Sequence, residues 1–285
     1  MPSIKTILTN AKQKLRSAKI ESAYLDADIL MMHAANLTRE KIIAHPDKNL
    51  SEDEVSKFND YITRRINREP ISHITGKREF WGLEFNVTKH TLDPRADSEC
   101  LIEQALELFP DKQQPLKIAD FGTGTGCLLL SLLYEYRNAQ GIGIDISNDA
   151  LNVAKSNSLK LKLANRSDFV VSSWADGIKG EFDLIISNPP YIIKNDIKKL
   201  EAEVSKFEPK LALDGGEDGL NCYRELAVNI HLLLSDKGYA IFEFGQGQEA
   251  DVRAILESVG MEFVAYKKDL SSIIRSITVR RCKTA

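Results

Sequence analysis

The chain has 285 residues, 43% of them hydrophobic and 28% charged, with a formal net charge of −3. That is ordinary for a soluble globular protein and long enough for a large domain beside a small one, so a sizeable core is expected. The charge gives no global attraction to nucleic acid, and Cys100, Cys127, Cys222 and Cys282 contain no C-x-x-C pair, which excludes a disulfide framework and a zinc site. Four buried apolar thiols are expected instead. His33, His45, His73, His90 and His231 are dispersed with no i, i+4 pair, so no metal is expected. The opening Met-Pro-Ser-Ile-Lys leads into a mixed pattern without an apolar signal core, and no stretch is long enough to span a bilayer. A cytoplasmic protein is expected.

Residues 3–70 read as helix. Ile4, Ile7, Leu8, Ala11 and Leu15 recur at helical spacing, and Tyr24, Leu25, Ala27, Leu30, Met31 and Ala34 do so again. Thr38 is an N-cap for a short helix that His45-Pro46 stops. Ser51-Glu52-Asp53-Glu54 is a capping box for a fourth helix, with Val55, Phe58, Tyr61, Ile62 and Ile66 on one face, ending before Pro70. Residues 1–70 are thus expected to form a helical bundle. Residues 1–75 hold 12 Lys plus Arg against 10 Asp plus Glu, too small an excess for a nucleic-acid-binding domain. Arg64, Arg65 and Arg68 read as a solvated helix face, with a partner contact as the lesser alternative.

Residues 71–95 form the expected linker. Leu83, Phe85 and Val87 alternate with Glu84 and Asn86, the period of a hairpin. Asp93 to Glu99 opens a helix whose apolar residues include Leu101, Ile102, Ala105 and Leu108, with Asp97 and Glu99 suited to its positive end. Residues 96–285 then alternate strand and helix, the mark of a mainly parallel sheet covered on both faces. Strands are expected at 117–121, 141–146, 169–172, 182–187 and 238–243, and helices at 126–136, 148–158, 220–234 and 248–259. Residues 192–219 are an insertion. The closing runs 262–268 and 273–279 have no helix between them, so the last strand should run antiparallel.

Two stretches carry chemistry. Phe182–Tyr191, FDLIISNPPY, is an apolar strand that stops at Asn188, because Pro189 and Pro190 have no N–H for a ladder. In open α/β sheets ligands bind at such carboxyl ends. Alone, Asn-Pro-Pro would be only a turn. Asp120 to Gly126, DFGTGTG, joins the first strand to its helix, and its alternating glycines let backbone approach a ligand. Its G-x-G-x-G spacing departs from the dinucleotide fingerprint. Asp145, at the end of the second strand, suits a ribose diol; the alternative is a cap for the helix at Asn148, which Asn148 could itself supply.

Together DFGTGTG, GIGID and ISNPPY resemble the class I S-adenosylmethionine-dependent methyltransferases that act on planar nitrogen, a Rossmann-like fold with a mainly parallel seven-stranded sheet. The resemblance implies that Gly122, Gly124 and Gly126 line the methionine and ribose of the cofactor, and that Asp145 binds the ribose hydroxyls. Trp174 is either the aromatic residue against the adenine or a core residue. The implied cofactor-binding set is Phe121, Gly122, Thr123, Gly124, Thr125, Gly126, Asp145, Ile146, Ser173, Trp174 and Asn188, and the implied catalytic set Asn188, Pro189, Pro190 and Tyr191.

An amide nitrogen is a poor nucleophile because its lone pair is delocalised. Acceptance of its N–H bonds by the Asn188 side-chain oxygen and the Pro189 carbonyl would stabilise charge developing on it. Pro190 restricts Pro189 and so fixes that carbonyl, and Tyr191 would pack on the planar group.

The order of features along nearly the whole chain is similar to that of the peptide chain release factor glutamine methyltransferases. It runs from the N-terminal helices through Pro70–Gly76, Glu79-Phe80-Trp81-Gly82, Pro94-Arg95 and Asp97-Ser98-Glu99 to NPPY. Phe207-Glu208-Pro209, Ala212-Leu213 and Gly215–Leu220 follow. This resemblance implies N5-methylation of the glutamine in the Gly-Gly-Gln tip of release factors, with the N-terminal bundle gripping the factor away from that tip. Ser98 stands where the family usually has Thr, Ser173 where many members have an acid, and Ser272 where Gly is common, while Arg275 matches. A monomer is expected. A nucleic-acid methyltransferase acting on adenine or guanine amines is the alternative, disfavoured by the near-neutral N-terminal region. A non-catalytic adaptor is disfavoured by the intact motifs.

Overall fold

The computed structural model describes residues 2–282, which divide into two compact units. One comprises the residues up to Gly76 together with Glu201–Phe207; the other comprises Lys77–Leu200 and the chain from Glu208 onward.

The first unit is helical: α1 (Ile4–Ser17), α2 (Ala23–Ala35), α3 (Arg39–Ala44), α4 (Glu52–Ile66) and α5 (Ile71–Thr75). Its termini follow from the sequence. Thr38 Oγ1 accepts from the Lys41 N–H, and Ser51 and Glu54 close the capping box in both directions. Leu15, Ala27, Leu30, Met31 and Phe58 are fully buried in its core. The short α5 departs from the expected extended linker: Pro70 pre-sets the first turn, and Gly76, at φ 74, ends it in a left-handed cap. The arginine cluster also departs from expectation. Arg65 is buried, its Nε donating to Asp26 at 2.7 Å and its Nη1 to Glu203 at 3.0 Å; Arg68 also reaches Glu203, and Arg64 forks onto Glu69. Glu203 lies on the helix Ala202–Phe207, so this part of the insertion is packed with the bundle through a carboxylate shared by two arginines.

The second unit opens with the hairpin β1 (Lys77–Phe80) and β2 (Leu83–Asn86), whose Phe80, Leu83 and Phe85 join its core. Then follow α6 (Glu99–Leu108), β3 (Lys117–Phe121), α7 (Cys127–Glu135), β4 (Gln140–Asp145), α8 (Asn148–Lys160), β5 (Ser167–Val171) and β6 (Phe182–Ser187). The Ala202–Phe207 helix is α9 in chain order. After it come α10 (Asn221–Leu233), β7 (Leu234–Glu243), α11 (Glu249–Ser258), β8 (Met261–Lys268) and β9 (Ile274–Arg281). Seven strands form one sheet in the order β5-β4-β3-β6-β7-β9-β8. The first five pair in parallel, and β9 is antiparallel to both its neighbours, as expected of the last strand. Both faces are covered, which is why the central strands read as continuous apolar runs. Leu184, Ile186 and Ile241 face a core shared with α6 and α7, while Ile185, Ala240 and Phe242 face one shared with α10 and α11. The fold is the Rossmann-like class I methyltransferase sheet.

The cysteines fall short of the expected four buried thiols. Cys100 and Cys222 are buried, Cys127 is half-buried and Cys282 is exposed beyond the last strand. Among the described residues no helix is long and apolar enough to cross a membrane.

Candidate active site

The parallel strands bring their carboxyl ends to one edge. Phe121 pairs with Ile144 on one side and Ser187 on the other, so Gly122, Asp145 and Asn188 each begin one residue past the same rung. The strand order reverses about β3, with β4 and β5 on one side and β6 and β7 on the other. A crevice at that reversal is where this class of sheet binds ligands. A cavity of about 570 Å³ lies there, lined by Gly122, Gly124, Asp145, Ile146, Ser173, Trp174, Asn188 and Pro190 among others.

The glycine loop earns its composition. Gly122, Gly124 and Gly126 have φ of 71, 54 and 78, the left-handed region where a side chain is strained. The Gly122 and Thr123 N–H groups both donate to Ile144 O, and the Gly124 N–H donates to Asp145 Oδ2 at 2.9 Å. A Cβ on Gly124 would meet nothing closer than 4.0 Å, so that glycine borders open cavity; one on Gly126 would lie 3.1 Å from Leu130, so that glycine serves packing. Phe121 is buried, and its carbonyl accepts from Ser187 Oγ. The Thr123 hydroxyl donates to the buried Asp120 at 2.6 Å, and the Thr125 carbonyl accepts from Asn157. Phe121, Thr123, Thr125 and Gly126 therefore shape the loop from behind, and Gly122 and Gly124 front the cavity.

Asp145 faces the cavity with its second oxygen accepting from the Ser147 N–H. Burial raises its pKa, against hydrogen bonds from the Ser147, Gly124 and Ile146 N–H groups. The cap of α8 is neither Asp145 nor Asn148 but Ser147, whose Oγ accepts from the Ala150 N–H. Trp174, at φ 49, lines the cavity with its ring 3.7 Å from where a Gly122 Cβ would stand. Its indole N–H donates to Glu225 Oε2 at 2.7 Å, from α10. It also packs against the core, so the two readings of this residue are not exclusive.

At the end of β6, Asn188 lines the cavity while its Nδ2 donates to Ser98 Oγ at 3.0 Å. Ser98 Oγ donates in turn to Glu243 Oε2 at 2.5 Å, and the Tyr191 hydroxyl donates to Glu243 Oε1 at 3.2 Å. Pro189 is buried and Pro190 borders the cavity. Tyr191 is held from behind as well: its carbonyl accepts from Gln248 Nε2. Burial pushes Glu243 up to about 7, opposed by the Ser98 hydrogen bond and the Arg275 charge.

A second buried carboxylate, Glu208, pins the outer wall. Its oxygens accept from the Asp93 N–H at 3.0 Å and from Arg95 at 2.6 Å, beside the cavity residues Leu92 and Pro209. Burial pushes it up to about 7, with Arg95 pulling the other way.

Sequence reasoning missed Glu243 and Glu225 as site residues and saw Ser98 and Glu208 only as motif positions. A usable signal existed for Glu243: a carboxylate between two phenylalanines at the carboxyl end of an apolar strand has no cheap place to go.

The cavity suits S-adenosylmethionine. Its volume falls in the range of about 300–1,000 Å³ usual for such ligands. The backbone at Gly122 and Gly124 leaves room where side chains would intrude, and Asp145 presents a carboxylate where a diol can donate. Among the described residues no cluster of His, Cys, Asp and Glu could hold a metal ion.

Residues 6–76 match a family model described as the PrmC N-terminal domain, and residues 97–207 one described as the methyltransferase small domain. A release factor glutamine methyltransferase of Bradyrhizobium diazoefficiens is 43% identical over 283 residues, covering 98% of this chain and 95% of that protein. One of Rhodospirillum rubrum is 42% identical, covering 96% of this chain and 84% of that protein. Among solved structures, a methyltransferase from Pyrococcus furiosus aligns with a TM-score of 0.53 at 14% identity, covering 78% of this chain and 98% of that one, a likeness of fold alone.

Proposed function

The chain belongs to the release factor glutamine methyltransferase family, and from that premise we propose that it methylates the N5 side-chain amide of the glutamine in the Gly-Gly-Gln tip of peptide chain release factors. The observation that carries this reading is Asn188, whose amide nitrogen is committed to Ser98 and whose oxygen takes no hydrogen bond from the described residues at the cavity wall.

Bound S-adenosylmethionine supplies a methyl group activated by its sulfonium. Gly122 and Gly124 would lie against its methionine and ribose, Asp145 would take the ribose hydroxyls, and Ile146, Ser173 and Trp174 would border the adenine, with Glu225 holding the Trp174 indole. The chain's remaining task is to aim a weak nucleophile. Asn188 Oδ1 and the Pro189 carbonyl would accept the two N–H bonds of the substrate amide, favouring a pyramidal nitrogen and stabilising positive charge as it takes the methyl. Pro190 fixes the direction of the Pro189 carbonyl, and Tyr191 would flank the amide plane. The methylated nitrogen is acidic enough to lose its proton to water, so no general base is demanded.

The helical unit would grip the release factor away from the tip. We also propose a cytoplasmic monomer with no nucleic-acid substrate; the small charge excess of residues 1–75 supports the last point. Methyl incorporation into purified release factor and into total RNA, measured side by side, tests the reading. Label in the release factor, lost when its Gly-Gly-Gln glutamine is replaced, is the expected result, and label in RNA alone would overturn it.

A further inference from the structure

Asn188 can serve as an acceptor only if its amide stands one way round, because a flip exchanges an oxygen for an NH2 of nearly the same shape. A side chain at a cavity wall does not settle that by sterics. The surrounding proton inventory does. Glu243, when ionised, has no proton to give and accepts on both oxygens, from Ser98 Oγ at 2.5 Å and from the Tyr191 hydroxyl at 3.2 Å. The Ser98 hydroxyl has a single proton, and with Glu243 ionised that proton goes to Glu243. Its remaining capacity is to accept, so what approaches it at 3.0 Å must be the Asn188 NH2.

We propose that Ser98 and Glu243 are positioning residues that set the polarity of the Asn188 amide, turning its oxygen toward the substrate nitrogen. The chain of donation runs one way, from Asn188 to Ser98 to Glu243, and its sink is a carboxylate that the fold fixes at both ends. Glu243 and Ser98 are buried, and the carbonyl of Glu243 accepts from the Tyr223 hydroxyl at 2.7 Å, so neither end can swing to water. The charges of Arg275 on β9 and Asp97 before α6 also act on Glu243, in opposite senses, with Arg275 held by Asp269. The same carboxylate engages Tyr191, so one group orients both the acceptor and the ring of the NPPY motif. A residue in the first turn before α6 and another at the end of β7 thereby control an atom at the end of β6. This inference rests on the proposed acceptor role of Asn188 and adds what enforces it.

The experiment compares Ser98→Ala, Ser98→Thr and Glu243→Gln in the full chain. Two readouts are taken: single-turnover methyl transfer to release factor, and hydrogen exchange of the Asn188 side-chain NH2 in asparagine-15N-labelled protein. Ser98→Ala should lower the transfer rate by about 100-fold with S-adenosylmethionine affinity within about 3-fold of wild type, the pattern of a lost transition-state contact. Ser98→Thr, which keeps the hydroxyl, should recover most of that loss. Glu243→Gln, which can present either end to Ser98, should lose about 10-fold or more. The NH2 signal should exchange slowly in wild type and Ser98→Thr and at least about 10-fold faster in Ser98→Ala, where its buried acceptor is gone. Rates for Ser98→Ala and Glu243→Gln close to wild type, or Ser98→Thr as impaired as Ser98→Ala, would overturn the proposal. So would an Asn188 NH2 that exchanges alike in all four proteins. The exchange readout needs no substrate, so a wrong release-factor assignment would show as absent transfer in wild type beside an intact exchange pattern.

Discussion

Asn188 and Asp145 line the same cavity but have different proposed roles, and single substitutions should separate them. In the proposed reaction Asn188 Oδ1 matters most when charge develops on the substrate nitrogen, so Asn188→Ala should cut transfer by about 100-fold while leaving the cofactor dissociation constant within about 3-fold. Asp145 holds the Gly124 and Ser147 N–H groups and lines the cavity, so in the proposed binding mode, where it takes the ribose hydroxyls, it matters before any chemistry. Asp145→Ala should raise the cofactor dissociation constant by about 10-fold or more while the rate at saturation changes less. Calorimetry with S-adenosylmethionine and single-turnover assays give the two numbers for each variant; cofactor affinity unmoved by Asp145→Ala would remove that residue from the binding set. In the helical unit the pair Asp26–Arg65 is buried at both ends, and deleting Asp26 leaves the buried Arg65 Nε without its carboxylate while Glu203 still holds Nη1. Asp26→Ala should therefore destabilise that unit by about 1.5–3 kcal/mol, read by denaturant unfolding followed through probes in the bundle.

At the scale of elements, the loop between β3 and α7 divides its glycines by task. Gly126→Ala forces a left-handed alanine whose Cβ stands 3.1 Å from Leu130 and 3.3 Å from Ala154, so strain and crowding add. It should cost about 2–4 kcal/mol of stability. Gly124→Ala meets no neighbour nearer than 4.0 Å and should cost only about 1–2 kcal/mol, while its methyl group enters the cavity and weakens cofactor binding. Melting temperatures and calorimetry on the two variants should thus rank in opposite order. This loop and the strands beside it were legible in the chain because their causes are local: apolar runs buried on both faces, glycines at alternate positions, prolines that end β6. The capping box of α4 was legible for the same reason. What was not legible depends on groups far apart in sequence. Arg65 looked solvated because its partners lie 39 and 138 residues away, and Glu243 looked like a strand residue because Ser98 is 145 residues away. Periodicity reports which face is buried and is silent on which charge that face has recruited. The helix Ala202–Phe207 was hidden in the insertion because it is only 6 residues long and buries no side chain completely, so its apolar pattern is too short to read.

Across the whole molecule the displaced carboxylates sort by unit, and that sorting predicts how stability follows pH. In the larger unit burial pushes Asp120, Glu208 and Glu243 up to about 7 from ordinary values of 3.8 and 4.5, and it raises Asp145 in the same direction. An acid whose folded pKa is raised binds its proton more tightly in the folded state, so its contribution is full below the unfolded value and is lost as pH climbs through the folded one. These raised acids should make the larger unit lose stability as pH rises from about 4.5 to 7. Its lowered acids, Glu84, Glu135, Asp218 and Asp269, act in the opposite sense, but only below their unfolded values, so they do not cancel the loss in that window. In the helical unit every displaced carboxylate moves down. Glu40 and Glu54 do so at capped helix starts, Glu69 against Arg64, and Glu203, despite burial, through its own backbone N–H and the two arginines. A lowered acid contributes above its unfolded value and fails as pH falls through its folded one. The helical unit should therefore hold level from about pH 5 to 7 and weaken on acidification below about 4.5, the side on which the larger unit's raised acids contribute in full. Native-state hydrogen exchange, resolved by unit between pH 4 and 7.5, measures both curves. Glu208→Gln removes one raised group without touching cofactor residues, and it should flatten the larger unit's decline while leaving the helical unit's curve in place. Parallel curves for the two units, or a decline unchanged by Glu208→Gln, would show that these buried carboxylates do not govern the pH response.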